Sequence, residues 1–344
     1  MMTRLTKVSG RWVLAAACLC LAVAGCDGSR HKTFSGKTMG TEYHVTVVTG
    51  MLSRTAPLQK MVEARLADIN AAMSTYMDTS EISRFNNEVG QDQPFAVSED
   101  FLKVAAEGMA LFRLTNGAWD GSVWPLMILW GFDRPEQQRF VPDPAEIDQV
   151  LTCVGYDWLR IDEANRLVKK TPCLFLDFAS IAKGYGVDAA AEVLGKAGID
   201  NFIVEIGGEV YAAGVRENGE PWRIGINTPE PGAPVDRVRQ VVSLSGRAMA
   251  TSGDYRNYFV IDGRTYSHVL DPRTGYPVAN GVVSATVVAD TCTFADGLAT
   301  ALMVMGAEQG TALVNTLDNV ESCITVRRAD GTYEDFRSTG FVAR

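Results

Sequence analysis

The stretch Leu174-Phe-Leu-Asp-Phe-Ala-Ser-Ile-Ala-Lys-Gly-Tyr-Gly-Val-Asp188, with Phe202-Ile-Val-Glu-Ile206 beyond it, decides the fold class. Apolar β-formers at 174–178 and 202–206 predict two strands, and the glycine-rich run between them predicts a helix beginning around Ser180. Such a unit alone would also suit a parallel sheet. The downstream sequence argues against that. Asn218-Gly219, Asp262-Gly263, Asn280-Gly281 and Asp330-Gly331 are each flanked by apolar alternation. These dipeptides supply the consecutive positive φ angles of tight hairpin turns, so the C-terminal half reads as antiparallel sheet. Helices at about 293–306 and 308–317 interrupt it. Upstream, a helix starts near Thr55 with Pro57 in its first turn and aligns Leu58, Met61, Val62, Leu66, Ile69 and Met73. Another is capped by Ser98, carries Glu99 and Asp100 in its first turn and stops before Gly117. The class is α+β: a mostly antiparallel sheet with flanking helices. No linker divides 38–344, which reads as a single domain of two lobes.

Composition narrows the function. The chain has 344 residues, 47% hydrophobic and 21% charged, with a net charge of −9. That excludes a disordered chain, a collagen and a disulfide mini-scaffold. Residues 1–25 hold Arg4, Lys7 and Arg11 and no acid, so the remainder is more acidic still. Such a surface is unsuited to nucleic acid. A phosphorylated ligand would have to be held by backbone amides or a cation.

Residues 1–25 read as an export signal: three basic residues, then an apolar run from Trp12 to Ala24. At a helical rise that run covers only about 20 Å, short of the roughly 30 Å bilayer core. Val23-Ala24-Gly25-Cys26 resembles a bacterial lipobox, which implies that Cys26 is acylated and becomes the mature N-terminus. Asp27 resembles the signal that retains such lipoproteins in the inner membrane of enteric bacteria. Residues 26–37, polar and small, read as a lipidated tether in the periplasm. Of the seven cysteines, Cys153, Cys173, Cys292 and Cys323 remain in the mature domain without CxxC spacing. A zinc site is disfavoured, and disulfides and buried free thiols both stay open.

Three constellations carry chemical potential. In Asp177–Asp188 a helix start offers free N–H groups to an anion, and Gly184 and Gly186 permit close approach. It matches neither GxGxxG nor a Walker loop, and taken alone it reads first as simple helix capping by Ser180. Asp296 and Thr300 stand at i and i+4, placing a carboxylate and a hydroxyl on one helix face, a donor pair suited to Mg²⁺. His268 lies where a strand meets the Asp271-Pro272 turn, a position where site residues concentrate. No serine elbow or Cys–His spacing supports a protease triad. Tyr76 and Trp119, next to turns, are exposed-looking aromatics suited to stacking on a flat ligand, although core packing is the default for both.

Taken in order, these segments resemble the ApbE-type FAD:protein FMN transferases. The resemblance runs through Met39-Gly-Thr-Glu-Tyr43, Ser74 to Asn86, Trp119 to Phe132, Asp177 to Asp188, Ile206-Gly-Gly208, Pro221-Trp222, Ala250 to Tyr255, Ser267 to Pro277 and Ala295 to Ala301. It covers about 39–315, and only the ordered set makes it specific. Two departures occur: Ala179-Ser180 stands where the family usually has Gly-Gly, and Asp120-Gly121-Ser122 varies the residues after the aromatic. The resemblance implies binding of FAD and Mg²⁺, with transfer of FMN to a threonine of a partner protein and release of AMP. By position it implies that Met39, Tyr76, Trp119, Asp120, Gly121, Asp177, Lys183 and Leu270 line the FAD site. It places the metal at Ser180 or the Ala182 carbonyl with Asp296 and Thr300. His268 is a candidate for orienting the pyrophosphate or taking the threonine proton, and Asp296 is the other catalytic candidate. The implied acceptor belongs to a membrane redox complex. Two alternatives stay open, an FAD pyrophosphatase yielding FMN and AMP and a flavin-binding lipoprotein without catalysis.

Overall fold

The computed structural model describes residues 29–133, 139–230, 237–254 and 257–343. The signal segment and Cys26 lie outside them, as does Tyr255. In chain order the elements are β1 (Ser29–Thr38), β2 (Thr41–Gly50), α1 (Ala56–Met73), α2 (Glu81–Glu88), β3 (Pro94–Ala96), α3 (Glu99–Leu114), α4 (Trp124–Leu129) and α5 (Pro144–Leu151). Then follow β4 (Leu159–Ile161), β5 (Arg166–Lys169), α6 (Ala182–Lys196), β6 (Phe202–Ile206), β7 (Glu209–Ala213), β8 (Trp222–Asn227), β9 (Val238–Leu244) and β10 (Arg247–Gly253). The chain closes with β11 (Tyr258–Ile261), β12 (Arg264–Ser267), β13 (Val282–Ala289), α7 (Cys292–Met305), α8 (Ala307–Val314), β14 (Glu321–Arg327) and β15 (Tyr333–Arg337).

Eight strands form one sheet in the order β1-β2-β6-β7-β10-β13-β14-β15, every neighbouring pair antiparallel. Strand periodicity sends alternate residues to opposite faces. Ala248 and Ala250 of β10 join the core shared with the helices, while Met249 points the other way, toward Trp222 and Val242 of the β8–β9 pair. Helices α1, α3, α6 and α7 cover the first face. A third apolar cluster, built on Leu126, Trp130, Phe132, Ile147 and Leu270, joins α4 and α5 to the β11–β12 hairpin beside the site.

The antiparallel α+β expectation holds, with local corrections. Asp262-Gly263 closes the β11–β12 hairpin with φ of 50° and 75°, and Asp330-Gly331 lies in the β14–β15 turn. The other two pairs are not hairpins. Asn218-Gly219 turns the chain between β7 and β8, which belong to different sheets. Asn280 donates to the carbonyls of Met303 and Val304 at the end of α7 and accepts from Val282 N–H, thereby tying that helix to β13. Met61 is 47% exposed and lies off the buried stripe of α1, which runs through Val62, Leu66, Ile69 and Met73. From Ser29 onward the expected tether is strand β1, paired along its length with β2. The cysteine alternatives resolve into a Cys153–Cys173 disulfide and two buried free thiols, Cys292 and Cys323.

Residues 174–178 are not a strand. The reason is a side chain that takes the place of a neighbouring strand. Asn86 donates to the Leu176 carbonyl and accepts from the Leu176 N–H, both at 2.8 Å, and Asp177 N–H goes to the Gly121 carbonyl at 2.7 Å. Backbone polarity is satisfied without a ladder. Asn86→Ala strands both groups of Leu176 in the interior and is expected to cost about 2–4 kcal/mol, read as a lowered urea midpoint.

Candidate active site

One cleft of about 480 Å³ gathers most of the residues singled out in the sequence. Its walls come from the 118–123 loop, the start of α6, the β6–β7 turn, β8, the end of β10, the 268–272 segment and one face of α7. Trp119, Asp120, Asp177, Ser180, Lys183, His268, Leu270, Asp296 and Thr300 all line it. Gly121 and Ala182 stand just behind, the former through its bond to Asp177 and the latter as the first residue of α6.

Two expected contributors lie elsewhere. Met39 turns β1 into β2 with a φ of 49°, and its thioether rests against Gly186. Tyr76, in the loop after α1, is 87% exposed and outside the cleft lining. Trp119 also departs from expectation, because it is 1% exposed rather than free to stack. Its ring packs edge-on to Tyr156, and its Nε1 donates to Ser180 Oγ at 3.1 Å. Ser180 does not cap the helix, which begins two residues later at Ala182 with Ile181 in the N-cap position.

The floor of the cleft depends on a close crossing of α6 and α7. A Cβ at Gly184 would lie 2.3 Å from the Cys292 carbonyl oxygen and 2.8 Å from Asp296 Cβ, so only glycine allows this approach. The approach lets Gly184 N–H donate to Asp296 Oδ2 at 2.9 Å. Asp188, one turn along α6, accepts from the N–H groups of Cys292 and Thr293, both at 2.8 Å, and so satisfies free donors at the start of α7. On α7, Thr300 stands one turn beyond Asp296, its Oγ1 3.0 Å from Ser252 Oγ of β10.

Sequence reasoning missed Glu209. It is 3% exposed, follows Gly207-Gly208 and reaches Lys183, whose Nζ lies 3.0 Å from Glu209 Oε1 and 3.7 Å from Asp296 Oδ1. Glu209 Oε2 has no hydrogen-bond partner. An acid opening an otherwise apolar strand straight after a glycine pair was the available signal. Burial pushes the Glu209 carboxyl up to about 8 despite the pull of Lys183, and burial also raises Asp296. Burial opposes the charge on Lys183, but Asp296 and Glu209 together carry its pKa upward.

Asp120 plays a different part. Its Oδ1 accepts from the N–H and hydroxyl of Ser122 and its Oδ2 from Tyr156 N–H, which fixes the loop; burial nonetheless lifts it to about 6. His268 Nδ1 faces the Asn257 carbonyl at 2.9 Å. A carbonyl only accepts, so Nδ1 carries the proton and Nε2 keeps the lone pair. Burial lowers the pKa of His268, favouring that neutral form. Among the described residues no group of three or more His, Cys, Asp or Glu side chains is arranged around a metal position, so a cation here would need mixed oxygen donors.

Asp120, Glu209 and Asp296 keep their protons to higher pH when folded than in an unfolded chain. Raising the pH from about 5 to about 8 therefore removes stability, the upper part of the loss belonging to Glu209. Urea midpoints measured across that range should fall, and Glu209→Gln should flatten the profile above pH 7.

The chain matches the ApbE family model over residues 39–324. A FAD:protein FMN transferase of Vibrio cholerae is 41% identical over 334 residues, spanning 96% of this chain and 97% of that protein. One from Haemophilus influenzae is 39% identical over 327 residues, spanning 92% and 93%. The solved structure of the flavin transferase ApbE from Vibrio cholerae superposes with a TM-score of 0.81 at 40% identity, over 91% of this chain and 98% of that one. The likeness covers both the sheet and the elements that build the cleft, and this chain belongs to the ApbE family.

Proposed function

We infer that this protein is an FAD:protein FMN transferase that joins FMN to a threonine hydroxyl of a partner protein and releases AMP. The observation that carries the reading is the convergence of Asp177, Lys183, His268, Asp296 and Thr300 on one cleft from three separate stretches of chain. In the reaction the threonine oxygen attacks the FMN-side phosphorus of FAD. The bond from that phosphorus to the bridging oxygen breaks, and AMP departs with the electron pair. The hydroxyl proton passes to the Nε2 of His268. Lys183 meets the charge of the pyrophosphate; the N–H groups of Ile181, Ala182 and Gly184 at the start of α6, expected from the sequence to face an anion, already donate to Phe178 and Asp296. Such chemistry needs positioning and charge neutralisation more than covalent help.

The site suits Mg²⁺ on its own terms. Two buried carboxylates face a single ammonium group, Glu209 Oε2 lacks a partner, and Asp296, Thr300 and nearby backbone carbonyls offer only oxygen. Asp296 and Thr300, with Ser180 or the Ala182 carbonyl, would hold the ion. When bound it supplies neutralisation of the charge developing on the pyrophosphate oxygens. Met39, Tyr76, Trp119, Asp120, Gly121, Asp177, Lys183 and Leu270 are assigned to FAD. Met39 and Tyr76 would act from beyond the cleft rim.

The same reading makes the protein a lipoprotein acylated at Cys26 and held on the periplasmic face of the inner membrane. The short apolar run before Cys26 supports it, and a Cys153–Cys173 disulfide fits an oxidising compartment. Anchoring confines enzyme and membrane-bound acceptors to one surface and so raises their effective concentration.

Incubation with FAD, Mg²⁺ and a threonine-bearing acceptor should yield an acceptor heavier by one FMN residue and fluorescent after denaturing electrophoresis. Asp296→Ala should lower that rate by about 10²-fold or more, and chelation with EDTA should mimic it. Brisk release of free FMN with no covalent product would instead identify a pyrophosphatase.

A further inference from the structure

We propose that the loop between β2 and α1, Met51-Leu52-Ser53-Arg54, is a second membrane contact that seats in the interfacial layer of a phospholipid bilayer and fixes how the domain stands on it. The proposal rests on acylation at Cys26. Leu52 is 94% exposed, the most exposed large hydrophobic side chain among the described residues, and Met51 beside it is 56% exposed. Solitary apolar residues on a surface need no explanation, but the position of this pair does.

The described chain begins at Ser29, whose register partner across the β1–β2 ladder is Gly50, the residue immediately before Met51. Cys26 lies three residues upstream of Ser29. Three residues span at most about 10 Å even when fully extended. An acyl chain inserted at Cys26 therefore holds this end of the sheet at the bilayer surface, and the apolar pair is the part of the domain next to it.

The loop is built to stay folded in such a place. Lys32 Nζ donates to the carbonyls of Met51 and Ser53, and Ser53 N–H donates to the Gly50 carbonyl. Its backbone is thus partly satisfied from within, which lowers the cost of leaving water. Arg30 and Arg54, both exposed, flank the tip and offer cations to lipid phosphates. Acyl chains fix position but leave tilt free, and an apolar tip with basic flanks supplies the second constraint.

The consequence for catalysis is one of height. Gly207 N–H donates to the Glu42 carbonyl, so the cleft lies at the end of β2 opposite Gly50. The intervening length of strand is about 30 Å at the usual rise. With Leu52 seated in the interface, the cleft is carried away from the membrane, toward the extramembrane part of an acceptor.

The test uses the full-length protein purified from membranes and reconstituted into phosphatidylethanolamine–phosphatidylglycerol vesicles. Leu52→Cys is labelled with an environment-sensitive fluorophore, with Val260→Cys, 56% exposed on β11, as the comparison site. The remaining described cysteines are paired or buried, so labelling is selective. The label at 52 should show blue-shifted emission, quenching by lipid-borne nitroxide and several-fold lower access to aqueous iodide, while the label at 260 stays aqueous. Intact mass on the same sample reads the anchor. Protein without acyl chains overturns the anchoring reading and this proposal with it. Acylated protein whose label at 52 is as open to iodide as that at 260 overturns the membrane-contact loop alone.

Discussion

The contact between Gly184 and Asp296 is the constraint on which the cleft depends. A carboxylate that is 1% exposed must have its charge or its hydrogen bonds met from within the protein. Here a backbone N–H meets one oxygen and Lys183 faces the other. Both donors come from the first turn of α6, and they reach α7 only because residue 184 has no side chain. Asp188 then fixes the start of α7 from the same helix, so the rotation that turns Asp296 and Thr300 toward the cleft is set at two points rather than one. The sheet supplies the opposite wall through Ser252 and Glu209.

An acidic protein that acts on a doubly charged pyrophosphate needs its cationic features concentrated where the substrate lies. Lys183 is the lysine or arginine that lines the cleft, while the chain as a whole carries a net charge of −9. The strain is visible in the carboxyls. Glu209 and Asp296 resist ionisation when the cleft is bare, and Glu209 Oε2 is left without a partner. Groups arranged this way are unfavourable for the free protein and become favourable when opposite charge arrives, a common trade between stability and binding at functional sites.

The helix boundaries near Thr55 and Ser98, the α7–α8 pair and two of the four glycine turns were legible because local chemistry specifies them: a capping hydroxyl, a proline in the first turn, a residue that tolerates positive φ. Residues 174–178 do not form the expected strand because a run of apolar β-formers reports burial, whereas strand formation requires a partner ladder. A single distant side chain, Asn86, takes that partner's place. Trp119 was misread for a related reason. Turn residues beside it suggested exposure, but Tyr156 and Ser180 from later in the chain bury it.

The sequence by itself determined the α+β class, the helices near Thr55 and Ser98 and the α7–α8 pair, and the residue types able to handle a phosphate and a hard cation, because propensity, periodicity and family motifs are local. Only the tertiary structure decided which of those residues meet. Asp296 and Thr300 share a helix face by spacing alone, but their approach to Lys183 and Ser252 required α6, α7 and β10 to close on one another. The inclusion of Glu209 and the placing of Met39 and Tyr76 outside the cleft lining were decided in the same way. The physical reason is that burial, charge pairing and steric clearance depend on distances between segments a hundred residues apart. At Gly184 it was the clearance between two packed helices, rather than any local preference, that set the geometry.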